Sequence, residues 1–136
     1  MNKNIEEKAQ EFEYYRQELE NLDMQLQEIN YKLEQFLTAN EIIKTLSKAK
    51  EGQEVILPLS EGLFVKAIIK DPSKALIGVG NNLVVEKKTD DCIDYINKRA
   101  KEADTIIASL NNEALNITEK LRRIESELQK LSEKKQ

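Results

Sequence analysis

Residues 54–87 read EVILPLSEGLFVKAIIKDPSKALIGVGNNLVVEK, and this stretch decides the fold. Short runs of apolar and β-branched residues alternate there with the separators SEG, KDPSK and GNN. Gly and Asn tolerate positive φ angles and Pro presets the first corner of a turn, so these separators are typical of turns. Runs of this length between such turns predict four strands, paired as two β-hairpins.

The predicted strands have one apolar face and one mixed face, the pattern of a sheet that covers a core on one side. Four short strands cannot close a barrel alone, and free edges beside an apolar face pair readily with other chains. We therefore expect the hairpins to join strands of other subunits in an intersubunit β-barrel. Pro58 predicts an edge or a bulge in the first strand. The residues expected at this subunit interface are Val55, Leu57, Leu63, Phe64, Val65, Ile77, Val79, Leu83 and Val85.

Long polar segments with regularly spaced apolar residues flank the hairpins. From Phe12 to Phe36 the apolar positions alternate in steps of 3 and 4, and the same alternation runs from Ile93 to Leu131. This spacing is the seam of a coiled coil. The predicted fold class is α+β: a long antiparallel two-helix coiled coil with two central β-hairpins. The single domain 1–136 is expected to contain helix 1 over about 4–51, the hairpins over about 54–87 and helix 2 over about 89–133.

Two details of the helices remain open at this stage. Asn40 occupies a seam position, where a polar residue costs stability and fixes the register of a coil. Alternatively, the helix has left the coil by then and packs on the hairpins, which Ile42 and Leu46 favour because they drift off the seam. Gly52 is expected to end helix 1 in the left-handed conformation, and Thr89 is expected to cap helix 2.

The composition limits the function. The chain has 136 residues, no His and one Cys, so the commonest general base and metal ligand is missing and no internal disulfide can form. The segments 1–50, 51–88 and 89–136 each have at least as many acids as bases, which argues against nucleic acid as a partner. No apolar run approaches the roughly 18 residues of a membrane span. We expect a cytoplasmic protein with no membrane contact, no cofactor, no metal and no enzymatic activity, in which Cys92 is a packing residue.

Three short sequences, PLSEG at 58–62, ALIGVG at 75–80 and VVEK at 84–87, together with the flanking coils, resemble the α-class subunit of prefoldin. The resemblance covers the whole chain in architecture and is densest from Val55 to Arg99. It implies an ATP-independent chaperone, a holdase, in which two α-class and four β-class subunits form a hexamer. The implied partners are β-class prefoldin subunits, another α-class subunit, unfolded polypeptides and a group II chaperonin that receives them.

The resemblance also implies that unfolded polypeptides are captured at the tip of the coiled coil, where both chain termini are expected. Tyr14 lies off the seam there and is expected to be exposed. The other apolar residues of the tip are either coil core alone or both core and binding surface, because the ends of a coil fray. The candidate client-binding residues are Ile5, Phe12, Tyr14, Tyr15, Leu121, Ile124, Leu128 and Leu131.

Other functions remain as alternatives. The first is a structural coiled-coil spacer or adaptor that oligomerises through its hairpins without binding clients. A nucleic-acid-binding arm is disfavoured by the acidic balance, and an enzyme by the lack of His, of a phosphate-binding loop and of a convergent acid–base pair.

Overall fold

The structure is a computed structural model, and it describes residues 2–133. The chain divides into two compact units, a helical unit with residues up to 33 and from 102 onward, and a hairpin unit with residues 34–101. The elements in chain order are α1 (Asn2–Ser47), β1 (Glu54–Ser60), β2 (Leu63–Ile68), β3 (Lys74–Gly80), β4 (Leu83–Lys88) and α2 (Thr89–Glu133).

In the helical unit, two helices pack against each other along the seam that the sequence predicted. Leu22, Ala103 and Ile124 are buried, and the other seam positions of this unit are half-buried. Met24 and Leu115, which lie off the seam, are exposed. The spacing of apolar residues therefore predicted the buried face correctly.

Two contacts between the helices of this unit fix their direction. Lys8 pairs with Glu127, and Lys120 lies over the ring of Tyr15. A step of seven residues forward along α1 thus corresponds to a step of seven residues backward along α2. The two segments are antiparallel, as predicted.

The hairpin unit contains two separate antiparallel sheets, hairpin 1 (β1–β2) and hairpin 2 (β3–β4). The register shifts between Pro58 and Ser60, in agreement with the edge or bulge predicted in the first strand. Asn81 and Asn82 both have positive φ angles, 50° and 59°. A two-residue type I′ turn needs that conformation at both central positions, and Asn tolerates it.

The end of α1 differs from the expectation. The helix ends at Ser47 rather than near residue 51. The amides of Lys48 and Ala49 donate to carbonyl oxygens three residues back, which closes the helix with tight turns. Gly52 does have a left-handed φ of 80°, but it lies in the turn before β1, and its N–H donates to the carbonyl oxygen of Ile69 at 2.8 Å. α2 begins at Thr89, as predicted.

The small core of the hairpin unit is formed by Ile43, Thr89 and Cys92. Ile43 is buried whereas Ile42 is exposed, so the alternating spacing of buried positions continues through Asn40 to Ile43. This favours the first interpretation of Asn40, a polar residue in the seam. Its Oδ1 atom is buried and has no hydrogen-bond partner among residues 2–133.

Candidate functional site

The candidate client site is the end of the helical unit that holds residues 5–15 of α1 and 121–131 of α2, here called the helix-pair end. Both segments are continuous helix, because no Gly or Pro interrupts them. Lys8 Nζ lies 2.6 Å from Glu127 Oε2 on the opposite helix and 3.7 Å from Glu11 Oε2 on its own helix. An ion pair between the helices therefore joins them at this end.

Lys8 and Glu127 carry opposite charges and shift each other's pKa at the helix-pair end. The hydrogen bond from Lys8 lowers the pKa of the Glu127 carboxyl below its ordinary value. The same bond raises the pKa of Lys8, with smaller contributions from the charges of Glu127 and Glu11. Both groups are therefore charged at neutral pH, and the pair stabilises the paired state of the helices.

Aromatic rings occupy the neighbouring surface. The rings of Tyr14 and Tyr15 meet edge to face, with centroids 5.3 Å apart and planes at 71°. Lys120 Nζ lies 5.0 Å from the centroid of Tyr15, in the range of a cation–π contact. Tyr14 is 58% exposed, so this ring presents an apolar face to solvent.

The eight candidate client-binding residues fall into three classes of burial. Tyr14 is exposed and Ile124 is buried at 4% exposure. The remaining residues are half-buried: Ile5, Phe12, Tyr15, Leu121, Leu128 and Leu131. In the paired state of the helices, therefore, Tyr14 offers the most apolar surface, and the seam residues offer more only when the pair opens.

The predicted interface residues of the hairpins lie open in the single chain. Val55 and Ile77 are half-buried, and the other predicted residues are exposed: Leu57, Leu63, Phe64, Val65, Val79, Leu83 and Val85. The described part of the same chain therefore leaves seven of these nine side chains exposed. A two-stranded sheet is only marginally stable alone in water. Exposed apolar side chains on such sheets indicate that further strands or another protein surface cover them.

Sequence reasoning missed several apolar residues of the hairpins. Ile56, Ile68, Leu76 and Val84 are exposed, and Leu76 at 70% is the most exposed of them. They lie on the mixed face, where Lys and Glu alternate with them, so strand alternation assigned that face to solvent. The ion pair of the helix-pair end was missed too, because sequence spacing within one helix does not reveal which residue of the other helix lies opposite.

The chain combines a pair of antiparallel helices with two hairpins whose apolar side chains are uncovered. These features are typical of one class of protein, the coiled-coil subunits that assemble into oligomers through their strands. The chain belongs to the prefoldin family, since the family model described as prefoldin subunit matches residues 15–134. Members of this family are chaperone subunits, and their partners are other prefoldin subunits.

Curated relatives carry the name prefoldin subunit alpha. The protein of Thermofilum pendens is 29% identical over 88% of this chain and 93% of its own length. That of Pyrococcus horikoshii is 26% identical over 98% of this chain and 90% of its own length. Prefoldin subunit alpha 1 of Thermococcus kodakarensis is 32% identical over 74% of this chain and 68% of its own length.

Solved structures share the fold. A chain of the filamentous PFD of Methanocaldococcus jannaschii is similar with a TM-score of 0.73 and 19% identity, covering 85% of this chain and 96% of that one. The prefoldin beta subunit of Thermococcus strain KS-1 is similar with a TM-score of 0.65 and 14% identity, over 94% of this chain and 91% of that one. Among the residues that the structure describes, no helix is long and apolar enough to cross a membrane.

Proposed function

We propose that this chain is an α-class prefoldin subunit that acts as an ATP-independent holdase in the cytoplasm. It captures unfolded polypeptides at the helix-pair end and delivers them to a group II chaperonin. Its hairpins assemble with β-class subunits and a second α-class subunit into a hexamer of two α and four β chains. The names and coverage of the curated relatives support the α class.

The observation that carries the proposal is the apolar surface of the helix-pair end. Tyr14 presents an exposed ring, and half-buried seam residues lie within one turn of it. Burial of apolar surface is non-directional, so such a surface accepts unfolded chains of many sequences. Contacts that are weak singly gain avidity when several subunits of one assembly present them to one polypeptide.

The alternative is a coiled-coil spacer or adaptor without clients. The burial of Ile124 and the half-burial of the other seam residues favour it, because a coil that only holds its helices together would show the same pattern. The two functions differ in one respect: the spacer needs the seam closed, whereas the chaperone needs Tyr14 and the opened seam to contact another chain.

The deciding experiment measures suppression of aggregation of guanidinium-denatured citrate synthase by light scattering. Removal of residues 1–15 and 121–136 is expected to abolish suppression while the oligomer, measured by sedimentation, stays intact. Suppression that persists in the trimmed variant would support the spacer interpretation of this end. Recovery of enzyme activity after addition of a group II chaperonin with ATP tests delivery.

A point substitution sharpens the test. Tyr14→Ser removes the exposed ring and its edge-to-face contact with Tyr15 but leaves every seam side chain in place, so weaker suppression with at most a small change in melting temperature is expected. Tyr31→Ser is the matched control, because Tyr31 is similarly exposed on the same helix but lies outside the helix-pair end. Equal effects of the two substitutions would contradict a specific role for Tyr14.

A further inference from the structure

A cavity with walls from both helices lies at the helix-pair end. Its volume is about 290 Å³, and it is lined by Lys8, Glu11, Tyr15, Lys120, Arg123, Ile124 and Glu127. The apolar part of its wall comes from Ile124, which is 4% exposed, and from the half-buried Tyr15. Charged side chains form the rest. An apolar wall with a few convergent charged groups is the usual composition of a binding site.

The two carboxylates of the cavity share one ammonium group. Lys8 Nζ lies 2.6 Å from Glu127 Oε2 and 3.7 Å from Glu11 Oε2. The bond from Lys8 is also the largest cause of the lowered pKa of Glu127, whereas Arg123 lowers this pKa only through a smaller charge contribution. The negative charge of the cavity is therefore compensated by Lys8.

The other two cations of the cavity have no carboxylate partner. In the part of the chain that the structure describes, neither Lys120 nor Arg123 forms an ion pair. Arg122, which lies between them in the sequence, pairs with Glu119 at 3.5 Å. Lys120 Nζ lies 5.0 Å from the centroid of the Tyr15 ring, and this contact leaves N–H donors of the ammonium for an acceptor. The unpaired positive charge of this segment of α2 therefore belongs to residues that line the cavity.

Lys120 and Arg123 are spaced so that both can contact one anion. Residues three apart on a helix are neighbours on its surface, with Cβ atoms about 5–6 Å from each other. A guanidinium donates two parallel hydrogen bonds to a carboxylate, and an ammonium adds a donor from a second direction. Ile124 follows Arg123 directly, so apolar surface begins beside the cations. A carboxylate next to an apolar side chain would satisfy the cations and cover the apolar wall together.

We propose that this cavity is a subsite for acidic residues of unfolded polypeptides. Lys120 and Arg123 bind a carboxylate of the client, and the apolar side chain next to it packs on Tyr15 and Ile124. The inference rests on the proposed function in placing clients at the helix-pair end, and it adds the chemical class of segment that binds there. Segments in which acidic and apolar residues adjoin bind more tightly than uncharged apolar segments, and basic segments bind less tightly, because like charges repel at an interface.

The charge of the whole chain favours a carboxylate of a polypeptide over a nucleic acid. The formal net charge is −4, so a polyanion that follows the surface meets repulsion outside the cavity. A single carboxylate interacts mainly with charges within about one Debye length, roughly 8 Å at physiological salt. Within the cavity, these charges are the two unpaired cations and the ion pair of Lys8 with Glu127.

The test measures binding of labelled peptides to the assembled protein by fluorescence anisotropy. The probe is a short unstructured peptide in which Phe and Asp alternate, and the matched peptides have Asn or Lys in place of Asp. At low salt the Asp peptide is expected to bind about threefold or more tightly than the Asn peptide, and the Lys peptide more weakly than either. High salt should reduce these differences.

Substitutions of the two cations assign the preference to the cavity. Arg123→Gln should reduce the preference for the Asp peptide, and Lys120→Gln with Arg123→Gln should abolish it, with little change in binding of the Asn peptide. Arg123→Gln leaves the contact between Lys120 and Tyr15 in place, so it removes a cation without removing this contact between the helices. An unchanged melting temperature checks that the helices stay paired.

Lys130→Gln is the matched control. It removes one positive charge from an exposed position of α2 that does not line the cavity, and it should leave the preference unchanged. The inference is overturned if the Asp peptide does not bind or binds no better than the Asn peptide, if the preference survives the double substitution, or if Lys130→Gln reduces it equally. Tighter binding of a labelled single-stranded oligonucleotide, lost in the same variants, would assign the cavity to phosphate groups and would overturn it too.

The outcome for the holdase proposal is read separately, from the aggregation of citrate synthase. If the Asp peptide binds with the expected preference but citrate synthase still aggregates, the carboxylate subsite stands and the holdase proposal fails. If aggregation is suppressed but the Asp and Asn peptides bind equally, the holdase proposal stands and the subsite is refuted.

Discussion

Asn40 is the polar residue of an otherwise apolar seam, and its buried Oδ1 has no partner in the described part of the chain. A buried acceptor without a hydrogen bond costs about 1–3 kcal/mol. Asn40→Leu should therefore raise the free energy of unfolding by about 1 kcal/mol or more, measured by urea denaturation at fixed protein concentration.

The control for this substitution is Asn112→Leu, which makes the same exchange at an exposed position of α2. It should change the stability by no more than about 0.5 kcal/mol. A loss of stability in Asn40→Leu, with the control unchanged, would show that the amide makes a contact worth more than the burial of an apolar side chain.

The stability of the helix-pair end depends on pH through the Lys8–Glu127 ion pair. The pKa of Glu127 is lowered by Lys8, so the contribution of this carboxylate to stability is present above its unfolded value near 4.5 and is lost as the pH falls through the lowered folded pKa. The pKa of Lys8 is raised, so its contribution is present below about 10.5 and is lost only at higher pH, through the raised pKa.

Carboxyl carbon NMR can check this assignment directly. In Lys8→Gln the titration midpoint of Glu127 should rise towards its ordinary value, because the first cause of the shift is removed. Lys130→Gln is the control, since Lys130 acts on Glu127 only through a smaller charge contribution. A midpoint that moves as much in the control as in Lys8→Gln would show that general positive charge, rather than the hydrogen bond, lowers the pKa.

The sequence predicts the exposure of single residues better than it predicts their contacts. The exposure of Tyr14 followed from its place one step off the seam, because helical periodicity fixes the direction of each side chain. The Lys8–Glu127 pair did not follow, because periodicity leaves the axial offset between two helices undetermined. The offset is set by packing along the seam and by the length of chain that joins the helices.

At the level of elements, the turn of hairpin 2 depends on the conformation of two asparagines. Asn81 and Asn82 both have positive φ, where a residue with a Cβ but without a local hydrogen bond of its own costs about 1–2 kcal/mol. Asn82→Ala should therefore destabilise hairpin 2 by about 1 kcal/mol, and Asn82→Gly should leave it unchanged or stabilise it. Amide hydrogen exchange of β3 and β4 measures both effects.

Hairpin 1 supplies the matched control for this prediction. Its turn has Glu61 and Gly62, and only Gly62 has a positive φ, at 73°. Glu61→Ala should leave exchange in β1 and β2 unchanged, since the backbone there suits any residue. Faster exchange in β3 and β4 confined to Asn82→Ala is the expected result, and equal effects in both hairpins would refute the conformational explanation.

The elements themselves were largely predictable, because turn residues and apolar periodicity are local signals. Both hairpins and the start of α2 at Thr89 lie where these signals placed them. The end of α1 at Ser47 was not predicted. Gly52 was expected to end the helix in the left-handed conformation, but that conformation belongs to the turn before β1. A Gly reports where a positive φ occurs but not which element it ends.

At the level of the whole molecule, the two units obtain their stability from different sources. The helical unit buries its seam within the chain, with Leu22, Ala103 and Ile124 as core. The hairpin unit leaves its strands open, and its buried core consists of Ile43, Thr89 and Cys92. An intersubunit barrel could be predicted in outline from apolar strands with free edges, whereas the exposed apolar residues of the mixed face, Ile56 and Leu76 among them, became evident only in the structure.

This difference predicts that dilution of the protein destabilises the hairpin unit and leaves the stability of the helical unit unchanged. Partners that bind only the folded hairpins stabilise them by mass action, so that the contribution of the partners falls as the subunit concentration falls. On dilution of the assembled protein through its dissociation range, amide exchange in residues 54–88 should accelerate at least about tenfold, while exchange near Leu22 and Ala103 should stay constant. Hydrogen-exchange mass spectrometry on peptides from both units measures this in one sample. The peptides that contain Leu22 and Ala103 serve as the internal control, because these two side chains are buried within one chain. Exchange in the strands that is independent of concentration would mean that the hairpins are stable alone, and the case for strand-mediated assembly would then fail.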